Sequence, residues 1–406
     1  MSRPLPTLVV AAAIALGSAV SLGLARFAYA LLLPPMRADL GWSYLTAGAM
    51  NTVNAAGYLL GALVAPALLE RLGVRTAFVA ATGATALALA AHGLVEGDGA
   101  LYVLRFLAGA ASAPSLVGGA VLAAGLGAAT AGRVGAAPTA GLTLGMYYGG
   151  TGLGIVVAAL LVPLLAGTAR AHAWQPAWLG LGAVGIGAAA MVALATRGRQ
   201  SVTATRADPR AATRFGWRAF TPALAAYFLF GVGYIGYMTF VITLLREQRL
   251  SPALVTAFFA MLGLAVIASS WLWARMLQRF RGGESLAVLS ALLAVATLLP
   301  VVSVGPLAVF VSGGLFGAVF LSLVTSTTAL VRHNVEARLW ASGIAAFTIV
   351  FAAGQIVGPA LVGLIADRAG GLVAGFACSA AVLVLGALAA WRQKPLAPVA
   401  PTPTLS

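Results

Sequence analysis

Long apolar runs alternate with short polar breaks along the whole 406-residue chain. Each run is about 20–25 residues long, which is the length that an α-helix needs to cross the hydrocarbon core of a bilayer. We therefore predict an all-α membrane protein with twelve transmembrane helices. The predicted helices are Leu8–Leu33, Thr46–Leu69, Thr76–Val95, Ala100–Leu122, Leu142–Leu165, Trp178–Thr196, Phe220–Leu245, Pro252–Ala274, Ser285–Ser303, Pro306–Leu330, Leu339–Ala366 and Leu372–Trp391.

The composition agrees with this pattern. Hydrophobic residues make up 61% of the chain and charged residues only 8%, whereas soluble domains contain about 25% charged residues. The 49 glycines suit membrane helices whose backbones pack closely. The first apolar run is longer than the core of a signal peptide, so we expect an uncleaved helix there. With a single cysteine, Cys378, the chain cannot form a disulfide framework.

The net charge of +15 could indicate a nucleic-acid-binding protein, but the basic residues lie in short loops between the apolar runs. Seventeen of the 24 Lys and Arg residues fall on the side of the predicted membrane that carries the N-terminus. Because basic loops stay in the cytoplasm, this asymmetry predicts that both termini are cytoplasmic. We expect the lipid bilayer and a small molecule, rather than nucleic acid, as partners.

The longest polar break divides the chain into two halves of six helices each. We predict an N-terminal bundle in residues 1–196, a basic cytoplasmic linker in residues 197–218, and a C-terminal bundle with a short tail in residues 219–406. At an offset of 208 positions, Gly23–Tyr29 aligns with Gly231–Tyr237. Six helices per half give both halves the same orientation, which indicates a parallel repeat about an axis along the membrane normal.

Two arginines lie inside predicted helices, Arg26 in the first and Arg105 in the fourth. A cation at the bilayer centre costs at least about 2.5–3.5 kcal/mol, so such residues usually face a protein interior or an aqueous cavity. One interpretation is a positively charged cavity that attracts an anion. The other is that the arginines reach the outer headgroups or pair with Asp39, Glu96 or Asp98.

Other polar side chains in the predicted helices are candidates for lining the same cavity. Asn51, Asn54 and Tyr58 are spaced at i, i+3 and i+7, so they share one helix face. Such residues can also serve only as hydrogen-bonding groups between helices. The complete set of candidate substrate-binding residues is Arg26, Tyr29, Asn51, Asn54, Tyr58, Arg105, Tyr147, Tyr234, Tyr237 and Gln355.

All nine acidic residues lie in loops or at helix ends, and no histidine lies at mid-membrane. Proton-coupled carriers commonly titrate a carboxylate inside the membrane. A cationic cavity without one favours anion exchange, facilitated anion movement, or a proton carried on the substrate itself. The sequence has no Ser/His/Asp grouping, no metal-ligand spacing and no phosphate-binding loop. We therefore predict no enzymatic activity, no metal and no cofactor.

The segment from Pro66 to Arg75 places an acid, a base, a glycine turn and a second base between the second and third helices. It resembles the signature loop of the major facilitator superfamily, although Pro66 and Glu70 replace the usual glycine and aspartate. Arg105–Gly109 is similar to the second motif of that superfamily, in which the arginine faces the central cavity and is often linked to proton coupling. The resemblance implies a gating loop with the residues Glu70, Arg71, Gly73 and Arg75.

Four further stretches are similar to the YbfB/YjiJ-like subgroup of bacterial carriers. They are Gly23–Met36, Tyr147–Gly150, Gly231–Phe240 and Gly354–Pro359. The resemblance implies a secondary-active transporter of the bacterial cytoplasmic (inner) membrane, in which two pseudo-symmetric bundles give alternating access to a central site. We expect it to be a monomer.

The two buried arginines favour a small organic anion as the substrate. Two alternatives belong to other classes. One is the efflux of an uncharged or cationic amphiphile, such as a drug or a sugar, which an aromatic, glycine-rich cavity would suit. The other is a transporter-shaped membrane sensor that moves no substrate.

Overall fold

The computed structural model describes residues 6–130, 140–166, 171–198, 215–336, 339–368 and 370–396. Within these ranges it contains twelve helices that are long and apolar enough to cross a membrane, and no β-strand. The helices, numbered α1 to α12 in chain order, are Thr7–Leu40, Tyr44–Leu72, Val74–His92, Asp98–Gly127, Leu142–Leu165, Gln175–Ala195, Trp217–Glu247, Pro252–Arg279, Glu284–Val302, Pro306–Asn334, Ser342–Arg368 and Gly371–Trp391. The predicted class and number of helices are confirmed.

Several predicted segments lie outside the described residues. Most of the predicted linker, residues 199–214, is among them, as are residues 1–5 and the tail residues 397–406. The bundle and linker boundaries therefore stay a prediction from the sequence, as does the side of the membrane on which the termini lie.

α1 extends to Leu40, whereas the sequence predicted its end at Leu33. The prediction used only the extent of the apolar run, and Pro34 and Pro35 follow it directly; proline lacks the N–H that continues a helix. In the structure both prolines lie within the helix, and Gly41 ends it in the left-handed conformation at a φ of 66°. Glycine adopts this conformation without steric cost, so it is the usual residue after a helix C-terminus.

The middle of α1 is a π-helical segment, Ala19–Phe27, which carries Arg26. At its end the N–H of Ala28 bonds to the carbonyl of Gly23, five residues earlier. Short π-helical segments are rare and occur often at functional sites, because they change the direction in which the following side chains point. Here the altered turn lies directly beside the buried guanidinium.

α1 to α6 pack mainly on one another, and so do α7 to α12. The contacts between the two halves are concentrated in three helix pairs. α2 packs against α11, α5 packs against α8, and the second part of α1 packs against α7. A side chain in the middle of α1 or α2 can therefore reach one on α7 or α11.

The predicted repeat is visible in the packing of two glycines. A Cβ added to Gly23 of α1 would lie 2.6 Å from the Cα of Gly154 in α5. Gly231 of α7 packs in the same way on Gly354 of α11, where that distance would be 3.2 Å. Gly23 and Gly231 also pack on the main-chain carbonyl of the residue three positions before the partner glycine. Small residues let membrane helices approach this closely, and the two halves use the same device at the aligned position.

Candidate functional site

A group of buried polar side chains lies where α1 and α2 meet α7 and α11. Arg26 is 3% exposed, and its Nη2 donates a hydrogen bond to Oε1 of Gln355 at 2.7 Å. Nε2 of Gln355 in turn donates to the hydroxyl of Tyr234 at 2.5 Å. The guanidinium carbon of Arg26 lies 5.4 Å from the ring centroid of Tyr58. We call Arg26, Tyr58, Tyr234 and Gln355 the Arg26 site.

The Arg26 site joins the two halves at positions that the repeat relates. Arg26 and Tyr234 are counterparts at the offset of 208, and Gln355 bonds to both of them. The glutamine side chain is long enough and has both a donor and an acceptor, so it can bridge a cation and a hydroxyl. All members but Tyr58, at 9% exposed, are at most 3% exposed.

The charge of Arg26 is not neutralised by any described carboxylate. Among the described residues, no carboxylate forms an ion pair with it, and its only hydrogen-bond partner is a neutral amide. Its Nε is buried without any hydrogen-bond partner. A buried charge is costly unless it is paired, so an anion that reached Nε would supply the partner that this nitrogen lacks.

Arg105 of α4 is in a different environment. Its Nη1 donates to the carbonyl of Ala25 at 2.8 Å, its Nη2 to Oδ1 of Asn51 at 2.9 Å, and its Nε to the carbonyl of Met50 at 3.4 Å. Its guanidinium carbon lies 4.6 Å from the ring centroid of Tyr29. Each nitrogen of Arg105 is thus already directed at the protein, and the side chain holds α1, α2 and α4 together.

Asn51 extends this network to the other half of the molecule. Its Nδ2 donates to the hydroxyl of Thr239 in α7 at 2.7 Å, while its Oδ1 accepts from Arg105. Asn54, on the same face of α2, donates instead to the main-chain carbonyl of Arg105 at 2.9 Å. Asn51 is therefore a contact between halves, and Asn54 is a contact between α2 and α4.

The acidic residues that the sequence offered as arginine partners bind elsewhere. Asp39 accepts hydrogen bonds from the main chain and ring of His172 and from the indole of Trp174. Asp98 accepts from the indole of Trp42 at 2.8 Å. The remaining candidate, Glu96, lies 3.7 Å from the other ring nitrogen of His172. With both arginines buried among protein groups, neither the headgroups nor these carboxylates are their partners.

Three of the predicted tyrosines lie away from the Arg26 site. The hydroxyl of Tyr29 donates to the carbonyl of Ala47 at 2.9 Å, beneath Arg105. Tyr147 donates to the carbonyl of Leu116 at 2.8 Å and belongs to a separate apolar cluster. Tyr237 stacks on Phe316 with a centroid distance of 4.0 Å and shares a hydrogen bond with a serine of α10. These rings pack within their own halves.

Sequence reasoning missed two features of the site. Thr239 was not singled out, because a threonine in a membrane helix can satisfy its hydroxyl on the carbonyl four residues earlier, as this one also does on Ile235. The phenylalanines that stack beside Tyr234 were also not singled out. Phe230 and Phe351 stack against that ring at centroid distances of 4.7 and 5.6 Å, but isolated phenylalanines in apolar helices carry no sequence signal.

The predicted gating loop connects α2 to α3. Gly73 adopts a φ of 78°, and the side chains of Glu70 and Arg71 are exposed. Arg75 donates from Nε to the carbonyl of Thr196 at 2.9 Å and from Nη2 to that of Ala193 at 2.8 Å. These are the unpaired carbonyls at the C-terminus of α6, where a cation is favoured by the helix dipole.

The two halves are joined at the end of the molecule where α1, α7 and α11 finish and α2 begins, which we call the closed end. The N–H groups of Tyr44 and Leu45, in the first turn of α2, donate to the carboxylate of Asp367 in α11 at 2.9 and 2.8 Å. The hydroxyl of Tyr44 also donates to Glu247 at the end of α7. Arg37 covers the ring of Tyr44 at 3.7 Å.

Close backbone packing continues from the closed end toward the Arg26 site. Gly48 of α2 lies against the carbonyl of Pro359 in α11, with no room for a Cβ. One turn further, the hydroxyl of Thr52 donates to the carbonyl of Ile356 at 2.7 Å. Contacts of this kind close one end of a path between the halves.

In the described residues, twelve membrane helices in two repeated halves, with a buried cation between the halves, form an architecture typical of a membrane transporter. Among the described residues, no group of three or more His, Cys, Asp or Glu could hold a metal ion.

Comparison with known proteins agrees with this class. The family model described as the uncharacterised MFS-type transporter YbfB matches residues 18–391, so the chain belongs to this family of the major facilitator superfamily. Its members are transporters, not enzymes, and the resemblance found in the sequence is confirmed. A search of curated protein sequences finds no significant match.

Solved structures show the same fold at low sequence identity. A bacterial homologue of the human lysosomal transporter Spinster, inward-facing and unoccupied, superimposes with a TM-score of 0.70 at 16% identity, covering 95% of this chain and 96% of that chain. Nucleoside transporter NupG gives a TM-score of 0.71 at 14% identity, covering 94% and 99% of the two chains. At such identities the likeness concerns the fold alone.

Proposed function

We propose that the protein transports a small organic anion and that Arg26 binds the anionic group. The observation that carries this proposal is the guanidinium of Arg26, which is 3% exposed and has no carboxylate partner among the described residues. An uncompensated buried charge costs several kcal/mol. An anionic substrate that neutralises it would recover part of that cost each time it binds.

Transport by alternating access follows from the contacts between halves. The closed end is held by hydrogen bonds from α2 to α7 and α11, all of which connect one half to the other. If these contacts open while others form at the opposite end, the Arg26 site becomes accessible from the other side. The distribution of basic residues supports an orientation in which the closed end faces the outside of a bacterial cytoplasmic membrane.

Reconstitution into liposomes tests the substrate class. We expect uptake of a labelled monocarboxylate in counterflow, and we expect Arg26→Gln to abolish it while Arg26→Lys restores only part, since lysine lacks the planar fork of donors. Arg392→Gln is the matched control, because it removes the same charge from an exposed position and should transport normally. Monocarboxylate counterflow that survives Arg26→Gln would overturn the role of Arg26. Counterflow that occurs only with neutral or cationic amphiphiles would overturn the proposal in favour of amphiphile efflux.

A further inference from the structure

The Arg26 site contains a single cation that is free to bind a substrate. Arg105 is the other arginine in the interior of the bundle, and its three nitrogens already donate to the carbonyls of Ala25 and Met50 and to Asn51. The other described arginines lie near helix ends or in loops. A ligand with two negative charges would therefore place one of them in the membrane interior without a counter-charge.

The free part of Arg26 matches a carboxylate. Nε and Nη2 lie on the same edge of the guanidinium, and carboxylates bind that edge with two parallel hydrogen bonds. In the structure Nη2 donates to Gln355 and Nε has no partner. A carboxylate that bound both nitrogens would replace the amide oxygen, while the amide N–H of Gln355 would remain available as a donor.

The remaining surroundings of the site are aromatic. The ring of Tyr234 is stacked with those of Phe230, Phe351 and Phe320, at centroid distances of 4.7, 5.6 and 6.0 Å and interplanar angles of at most 27°. Tyr58 faces Arg26 from α2. Two members of this set, Tyr58 at 9% exposure and the partly exposed Phe351, retain exposed surface.

We infer that the substrate is an aromatic monocarboxylate, with its carboxylate on Nε and Nη2 of Arg26 and its flat ring against Tyr58 and Phe351. This inference rests on the proposed function and narrows it. Aromatic pairs gain free energy beyond the burial of their area because a ring edge and a ring face carry opposite partial charges. A saturated ring of the same size and charge lacks that gain.

Binding to the purified full-length protein tests the inference with four probes: benzoate, cyclohexanecarboxylate, acetate and phthalate. We expect benzoate to bind about three- to tenfold more tightly than cyclohexanecarboxylate. Acetate should bind more weakly than both, because it buries less apolar area. Phthalate should bind more weakly than benzoate because its second charge has no partner.

Two variants separate the carboxylate contact from the ring contact. Arg26→Gln should weaken the binding of both ring carboxylates by about tenfold to a hundredfold. Phe351→Leu keeps an apolar side chain of similar bulk, and should reduce the preference for benzoate to about twofold or less while cyclohexanecarboxylate still binds. Phe376→Leu is the control, because that ring packs on Tyr237 away from the Arg26 site and its loss should leave the preference unchanged.

The failures of the two proposals are distinguishable. Equal affinities for benzoate and cyclohexanecarboxylate, both lost in Arg26→Gln, would overturn the aromatic substrate and leave the anion transporter in place. Tighter binding of phthalate than of benzoate would overturn the single-charge argument in the same way. If no carboxylate binds, or if Arg26→Gln binds all of them as well as the original protein, both proposals fail.

Discussion

Arg26 and Arg105 are the same residue type in the same polar region of the membrane interior, but their surroundings give them different roles. Arg105 donates from each of its three nitrogens to protein acceptors on α1 and α2. Arg26 makes one hydrogen bond to a neutral amide and leaves Nε unpaired. One guanidinium is therefore part of the packing of the first half, and the other is available for a ligand.

This difference predicts opposite effects on stability. Arg105→Lys should lower the melting temperature of the purified protein, because lysine cannot satisfy three acceptors in the geometry of the fork and each lost charged hydrogen bond costs about 1.5–3 kcal/mol. Arg26→Gln should melt at or above the original temperature, because it removes a buried charge without a counter-charge. Thermal unfolding in one detergent measures both. Destabilisation by Arg26→Gln as large as that by Arg105→Lys would contradict the assignment.

The residues of the Arg26 site could be predicted from the sequence, but their pairing could not. Arg26 and Gln355 stand out because a charge or an amide is costly in an apolar run. The hydrogen bond between them joins positions 329 residues apart, and only the packing of α1 against the second half decides it. The role of Arg105 was also beyond the sequence, because its acceptors include main-chain carbonyls, which every residue has.

At the scale of helices, α5 and α8 of the two halves approach each other closely at a pair of glycines. A Cβ added to Gly263 of α8 would lie 2.8 Å from the carbonyl oxygen of Gly152 in α5, and a Cβ on Gly152 would meet the carbonyl of Gly263 in turn. The two backbones touch without side chains between them. Any substituent at this place must separate helices that belong to different halves.

We therefore expect Gly263→Ala to slow transport while each half remains folded. The added methyl group prevents the present approach of α5 and α8, although alanine by itself favours the helix relative to glycine. Gly187→Ala in α6 is the matched control, since a Cβ there has no neighbour within 4 Å. Counterflow rates and thermal unfolding of both variants provide the test. Equal transport by the two variants would show that the α5–α8 contact does not limit the cycle.

The ends of the helices show what limits a prediction from the sequence. Apolar runs located all twelve spans, because each run must match the thickness of a bilayer. The extent of the apolar run did not locate the end of α1, because Pro34 and Pro35 lie inside the helix and Gly41 ends it. Several helices also extend past the predicted apolar run, as α10 does to Asn334.

At the scale of the whole molecule, the closed end depends on a few polar contacts between halves. Asp367 of α11 accepts from two N–H groups in the first turn of α2, where the helix dipole also favours a carboxylate. These N–H groups have no partner within their own helix, so the contact satisfies α2 only while the halves are together at this end. When the closed end opens, water must replace the Asp367 carboxylate as the acceptor of these N–H groups.

Asp367→Asn should therefore shift the protein toward a state in which the closed end is open. Spin labels on Ala38→Cys and Ala253→Cys, two exposed positions near this end in different halves, report the separation in a Cys378→Ser background. We expect a longer distance to appear beside that of the present state, because asparagine has one acceptor oxygen in place of two and no charge.

Asp98→Asn is the control, because Asp98 bonds to Trp42 within the first half at the same end of the molecule. An unchanged distance distribution in Asp367→Asn, or the same new distance in both variants, would show that this carboxylate does not hold the halves together.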